Sequence, residues 1–274
     1  MNDLNTFHEI GRRFMDKLRL MTYPVAVRLI RPDEEEPEGS VRPSELFGSE
    51  VAACLVYTYC RRSGVSFYMT KDDIACKPIV IYFGLDALSD PDDLYKAWEM
   101  YGGYKRTMGK EKESRESDLR LEPFEFKGIV VSPLHRTIVK PHLAMIYCSP
   151  VVLSHLILAA TYDGDTIVSN FNGMESSCKE GIIRTYKTNR CQVVSPGMGD
   201  RVMAGVQDHE MIFSMPEARL EPVLNNLFLA GNKISDPSPF GIPHAMPALG
   251  PNKIFGNPVE PQVWPTLREK LGKT

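Results

Sequence analysis

No window of the sequence approaches the roughly 20 consecutive apolar residues that a membrane-spanning helix needs. The opening residues, MNDLNTFHEIGRRF, also lack the apolar core of a secretory leader. Positive charge is not in surplus: 32 Lys and Arg stand against 35 Asp and Glu, a net charge of −3, so no basic stripe is offered to nucleic acid. The phosphate-loop, zinc-protease and nucleophile-elbow patterns are missing. So is C-x-x-C, although the chain has six cysteines. These absences lead to the expectation of a cytoplasmic protein that binds neither membrane nor nucleic acid. In that compartment the cysteines are reduced thiols rather than disulfides.

What is present suits a folded domain: 43% hydrophobic residues across 274 positions, enough to bury a core. Leu4, Phe7, Ile10, Phe14 and Leu18 recur at three and four, which predicts an amphipathic helix over residues 3–20. Helices are further expected over 44–62, 77–84, 90–101, 151–162, 179–187 and 217–231. Strands are expected at 23–30, 64–70, 128–134, 142–148, 165–171, 191–196 and 209–216. The charged, glycine-broken stretch 101–118 reads as a surface loop, with a mobile lid as the alternative. Past residue 231 the density of Pro and Gly forbids long regular elements. Residues 1–231 are therefore expected to form one α/β domain, and 232–274 an extended Pro/Gly-rich C-terminal arm.

Two cysteines share a local address. Cys76 ends the turn DDIAC and Cys178 ends MESSC; each is followed by Lys and then an apolar run. Each also follows a helix that closes at a glycine, Gly64 or Gly164, and a short strand. This predicts a pseudo-twofold fold with mixed sheets, built from two related strand–helix–strand–Cys–helix units, about 21–101 and 128–231, with Cys76 and Cys178 as mates. A thiol at a helix start faces unpaired N–H groups and the positive end of the dipole, which favours the thiolate. Lys77 and Lys179 push the same way. A single cysteine in such a place is more often structural; two at one address favour a shared site.

From these residues the chain resembles the uncharacterised ArCR family, domain of unknown function 169, over about residues 10–230. The resemblance rests on PVAVRLI, on the cysteine-bearing helix leading to Gly64, on the segment Cys76–Leu85, and on SC…GI…R through Cys178 and Arg201. It implies no activity, but it singles out Cys54 beside Cys76 and Cys178. Cys54 and Cys60 are six residues apart and point roughly 120° away from each other on a helix, so they do not serve one site. As a fourth ligand Cys148 is named, because it ends a predicted strand where α/β sites open.

The set Cys54, Cys76, Cys178 and Cys148 points to a thiolate-bound cofactor: an iron–sulfur cluster, in particular 4Fe-4S, or zinc in its place. The expected role is redox or cofactor handling, with a redox partner protein and self-association through the C-terminal arm. The alternatives are a metal-free thiol enzyme using Cys76 or Cys178, and a non-catalytic module that binds a small molecule or a protein. The six histidines, at 8, 135, 142, 155, 209 and 244, show no ligand spacing. His155 reads as a core residue, while His135 and His244 lie in loops from which either could assist a thiolate. PGMGDR reads as a hairpin turn, with Arg201 able to reach an anion near Cys178. Asp72 and Asp73 read as a turn.

Overall fold

A computed structural model describes residues 4–87 and 103–230. The expected helix at 90–101 and the C-terminal arm at 232–274 lie outside the described residues, and contacts divide the chain after Leu227. The sheet, the helices and the cavity described below belong to the unit that ends at Leu227.

The architecture is α/β. A sheet of six strands has the order β2-β3-β1-β4-β6-β5. These are β1 (Val25–Ile30), β2 (Phe67–Met69), β3 (Gly128–Pro133), β4 (Leu143–Cys148), β5 (Gln192–Val194) and β6 (Met211–Pro216). All neighbouring strands are antiparallel. The mixed sheet expected from the strand–helix alternation is therefore corrected in its detail. A helical crossover does join the parallel strands β1 and β2, as such connections do, but β3 inserts between them and runs opposite to both. Among the described residues, parallel pairing remains only in the isolated bridges Val41 to Phe67 and Val51 to Ile74.

The sheet order reads alike from either edge, with β1 and β4 central, β3 and β6 next, and β2 and β5 outermost. Register agrees with this. Val25 faces Pro133 in one half and Leu143 faces Pro216 in the other. Carrying these pairs onto one another places Val131 on Ser214. The edge partner of Val131 is Phe67, and that of Ser214 is Gln192, so the first residues of β2 and β5 also coincide. The pseudo-twofold thus holds residue for residue across the sheet, with β3 in the first half.

Helices follow the same relation. α3 (Ala53–Ser63) lies between β1 and β2; its counterpart is α7 (Ser177–Arg184), wound as a π-helix and continuing as α8 (Thr185–Thr188). α3 closes at Gly64 and α8 at Asn189, both in the left-handed conformation, with φ of 75° and 51°. The stretch from Cys178 to Asn189 is one residue longer than that from Cys54 to Gly64, and the wider π-turn absorbs an extra residue. α4 (Lys77–Tyr82), after β2, matches α9 (Met198–Val202), after β5. The expected mates were Cys76 and Cys178; the fold instead pairs Cys54 with Cys178, and Cys76, the cap of α4, with Gly197, the cap of α9.

The side chains of β1 and β4 alternate between two buried faces. Val25, Val27, Leu29, Leu143, Met145 and Tyr147 share a core with α3, α4 and α7. The opposite face is covered in part by α1 (Leu4–Leu18), α6 (Pro150–Thr161) and α10 (Glu217–Asn226). α1 buries Phe7, Ile10, Phe14 and Leu18, the stripe its spacing predicts.

Three further expectations change. The helix over 44–62 breaks, because α2 (Pro43–Phe47) stops at Gly48, with φ 72°, before α3 begins. Residues 165–171 form no strand. The charged stretch 101–118 contains α5 (Met108–Glu116), capped by Thr107, whose hydroxyl accepts from the Lys110 amide. Its Glu111 and Arg115 are buried and paired at 2.7 Å, an i,i+4 pair that composition alone hides.

Candidate functional site

The starts of α3, α4, α7 and α9 converge on a cavity of about 100 Å³. Cys54, Cys76 and Cys178 all line it. They come from both halves of the sheet and from three separate helix starts. Ala52, Ala53, Ala75, Pro78 and Ile79 supply apolar walls, Glu175 and Asp200 carboxylates, and Gly199 a bare stretch of backbone. Cys178 is buried, whereas Cys54 and Cys76 are only partly covered. Tyr104 and Met203, both exposed, stand at the rim.

Cys148 is not brought there. It follows Tyr147 on β4, and successive side chains of a strand point to opposite faces; Tyr147 joins the core on the cavity's side and Cys148 faces away. Cys60 lies on the inner side of α3 and is fully buried. Cys191 lines a different cavity, with Arg190 and Arg219. No described histidine lines the thiol cavity, and His244 lies outside the described residues.

The thiols are held up, not down. Burial pushes Cys76 to about 11, with Glu175 adding to it. Burial raises Cys54 further, with Asp200 and Cys76 contributing, and it raises Cys178 well above the ordinary value, with Cys54 next. The three are thus close enough to oppose one another's ionisation. The expected thiolate bias from neighbouring lysines is corrected. Lys77 turns outward to both carboxylate oxygens of Glu50, at 2.9 Å, and Lys179 is buried against Asp118.

That ion pair belongs to a buried network. Asp118 also accepts from the Tyr82 hydroxyl at 3.0 Å and from Asn172 Nδ2 at 2.8 Å. Arg115 reaches Glu175 at 3.3 Å, and Lys179 reaches it at 3.4 Å. Glu175 takes a left-handed backbone, φ 42°, immediately before α7. A non-glycine residue in that region beside a π-turn marks local strain of a kind that clusters at functional sites.

Asp200 ties two helix starts together. Its Oδ2 accepts from the amides of Gly197, at 2.9 Å, and Ser177, at 3.3 Å, while Oδ1 accepts from the Ser177 hydroxyl. Burial nonetheless raises its pKa above the usual carboxylate value, against those hydrogen bonds. PGMGDR is therefore the start of a helix rather than a hairpin turn. Arg201 Nη1 donates to the Gln207 carbonyl at 2.6 Å and does not line the cavity. Asp73 is fully buried and accepts from Arg42, Ser44 and Thr70.

Two tyrosines were not singled out from sequence. The Tyr57 hydroxyl lies 3.4 Å from Cys178 Sγ. The Tyr147 hydroxyl is buried with no hydrogen-bond partner and lies among Asp200, Arg61, Cys54 and Cys178. Only the strand alternation placed Tyr147 on the thiols' side, and nothing local in the sequence marks Tyr57.

Among the described residues no three His, Cys, Asp or Glu side chains close on one point as ligands of a single ion. Zinc, whose sulfur ligands sit about 2.3 Å from the metal, does not find a preformed site. The donor set is nonetheless thiol-rich, and a polynuclear cluster spans a wider gap between its cysteines than a lone ion does.

The profile of the uncharacterised ArCR family, domain of unknown function 169, matches residues 13–226. An uncharacterised protein of Methanocaldococcus jannaschii is 24% identical over 226 residues, covering 81% of this chain and 94% of its own. No solved structure matches the chain. No helix among the described residues is long and apolar enough to cross a membrane.

Proposed function

The chain belongs to the uncharacterised ArCR family, and we propose that it holds a thiolate-ligated iron–sulfur cluster at Cys54, Cys76 and Cys178, with a redox or cofactor-handling role. One observation carries the reading: three thiols from three helix starts, in both halves of a pseudo-twofold fold, line one cavity.

Electrostatics supports it. Burial and mutual repulsion keep all three sulfurs protonated when nothing is bound. The nearby cations offset thiolate charge only in part: Arg115 and Lys179 lower Cys76, each by less than burial and Glu175 raise it, and both are already paired with Glu111, Glu175 and Asp118. A bound metal supplies the missing positive charge and displaces the protons. The same high pKa values disfavour a metal-free thiol nucleophile, which needs ready ionisation.

When bound, an iron–sulfur cluster supplies one-electron chemistry, at a potential set by charge, solvent exposure and hydrogen bonds to its sulfurs. The chain's own contributions are specific. Cys54, Cys76 and Cys178 ligate, the Tyr57 hydroxyl is placed to donate to the Cys178 sulfur, and the alanine, proline and isoleucine walls limit water. The rim at Tyr104 and Met203 gives an electron partner its nearest approach.

Purified without oxygen and reconstituted with iron and sulfide, the full chain is expected to show broad visible absorption and to retain both elements. Cys54→Ala, Cys76→Ala and Cys178→Ala should each lose most of the iron, while Cys148→Ala keeps it. Featureless absorption with no retained iron, sulfide or zinc would end the reading.

A further inference from the structure

The pseudo-twofold brings four helix starts to the cavity, yet only three carry a thiol. Cys54 on α3 and Cys178 on α7 are mates. The mate of α4, capped by Cys76, is α9, which begins Gly197-Met198-Gly199. We propose that α9 is the open side of the site: the cluster keeps one iron without a protein ligand there, and that iron takes a small neutral donor molecule from solution over Gly199. This rests on the cluster reading above.

Space and chemistry agree. Gly199 lines the cavity, and a Cβ built on it would meet nothing within 4 Å. At Gly197 a Cβ would lie 2.9 Å from the Gly173 carbonyl, so the cap itself has no room for a side chain. Asp200, the neighbouring donor, is committed to Ser177 and Gly197 and is not free to close the fourth position. The buried hydroxyl of Tyr147, 3% exposed and without a partner, lies behind the cavity's lining rather than in it, within electrostatic reach of Asp200, Arg61, Cys54 and Cys178. It is a polar atom left over by the protein's own hydrogen bonding, in a class of structure where such atoms are nearly always paired.

The occupant's class follows from the lining. The walls are mostly methyl and methylene groups, and among the described residues the charged side chains that line the cavity are the carboxylates Glu175 and Asp200. A free anion meets repulsion and desolvation there. A neutral nitrogen or sulfur donor meets neither, and the opening beside Tyr104 and Met203 admits it.

The test uses the reconstituted full chain and needs no activity. Ferricyanide removes one electron from an oxidised four-iron cluster of charge +2; the resulting +3 species releases one ferrous ion and leaves a three-iron cluster of charge +1. Wild type should release that iron, seen by a ferrous chelator and by the three-iron paramagnetic signal. Imidazole should shift the spectrum of the reduced cluster, and azide at equal concentration should not. Gly199→Cys should retain all its iron under ferricyanide and lose the imidazole response. Gly199→Ala has room for its methyl, so it should keep full iron content while binding imidazole at least tenfold more weakly.

If wild type binds iron and sulfide but neither releases iron nor responds to imidazole, the open position is refuted and the cluster stands. An azide shift equal to that of imidazole refutes the neutral-donor assignment. If no iron or sulfide is retained, the cluster reading falls and this inference with it.

Discussion

Cys76 shows which of two opposed effects wins at a single residue. A helix start stabilises a nearby negative charge by about 0.3–1 kcal/mol, less than one pKa unit, and burial of an ionisable group shifts it by up to about 3–5 units. Burial prevails, and the thiol rises to about 11 with Glu175 adding to it. In metal-free protein the alkylation rate at Cys76 should therefore keep climbing about tenfold per pH unit until the pH nears 11. A plateau around the ordinary ~8.5 would contradict the burial argument. If Cys76 ligates the proposed cluster, loading it should abolish the labelling altogether.

Among elements, α7 and α1 show how backbone spacing sets position. α7 and α8 together carry one residue more than their counterpart α3, and α7 winds as a π-helix, so that Cys178 and Asn189 both keep places matching those of Cys54 and Gly64. α1 lies so close to the 3₁₀ turn Leu134–Arg136 that a Cβ on Gly11 would fall 2.4 Å from the His135 nitrogen. Gly11→Ala should lower stability by about 1–2 kcal/mol, read as a shift of the denaturation midpoint. Overpacking against backbone costs about 1–3 kcal/mol, and the gain in helix propensity returns part of it. An unchanged or higher midpoint would mean that α1 slides freely.

For the whole molecule, pH tests the folded state. Burial lowers His142 from 6.5 to about 4, with Arg28 next in effect, and its Nδ1 accepts from the Leu29 amide at 3.3 Å. Between those two pH values the unfolded chain binds this proton and the folded chain does not, so stability should fall as pH falls from 6.5 to about 4. Glu210 and Asp73 oppose their own burial through Arg61 and Arg42 and are held below 4.5 and 3.8. Their contributions are complete above those values and are lost as pH drops through the lower folded-state values. His142→Gln should remove the upper part of the decline in thermal midpoint and leave the acid part. A variant whose profile matches wild type down to about 4 would assign that decline to other groups.

The sequence by itself determined the α/β class, the amphipathic α1, most strand positions and the prominence of Cys76 and Cys178, because these follow from local periodicity and residue type; Cys54 was added by the family resemblance. It misjudged what depends on neighbours distant in the chain. β3 inserts between two parallel strands, α2 and α3 separate at Gly48, and Glu111 and Arg115 stabilise a helix in a stretch whose composition reads as loop. Tertiary structure alone decided that Cys54, not Cys76, is the mate of Cys178, since strand register rather than sequence spacing defines the twofold. It also turned Cys148 away, because a strand reverses its side chains at every residue. The thiol pKa values too were settled by burial among distant helices, a larger effect than the dipole and lysine beside each cysteine.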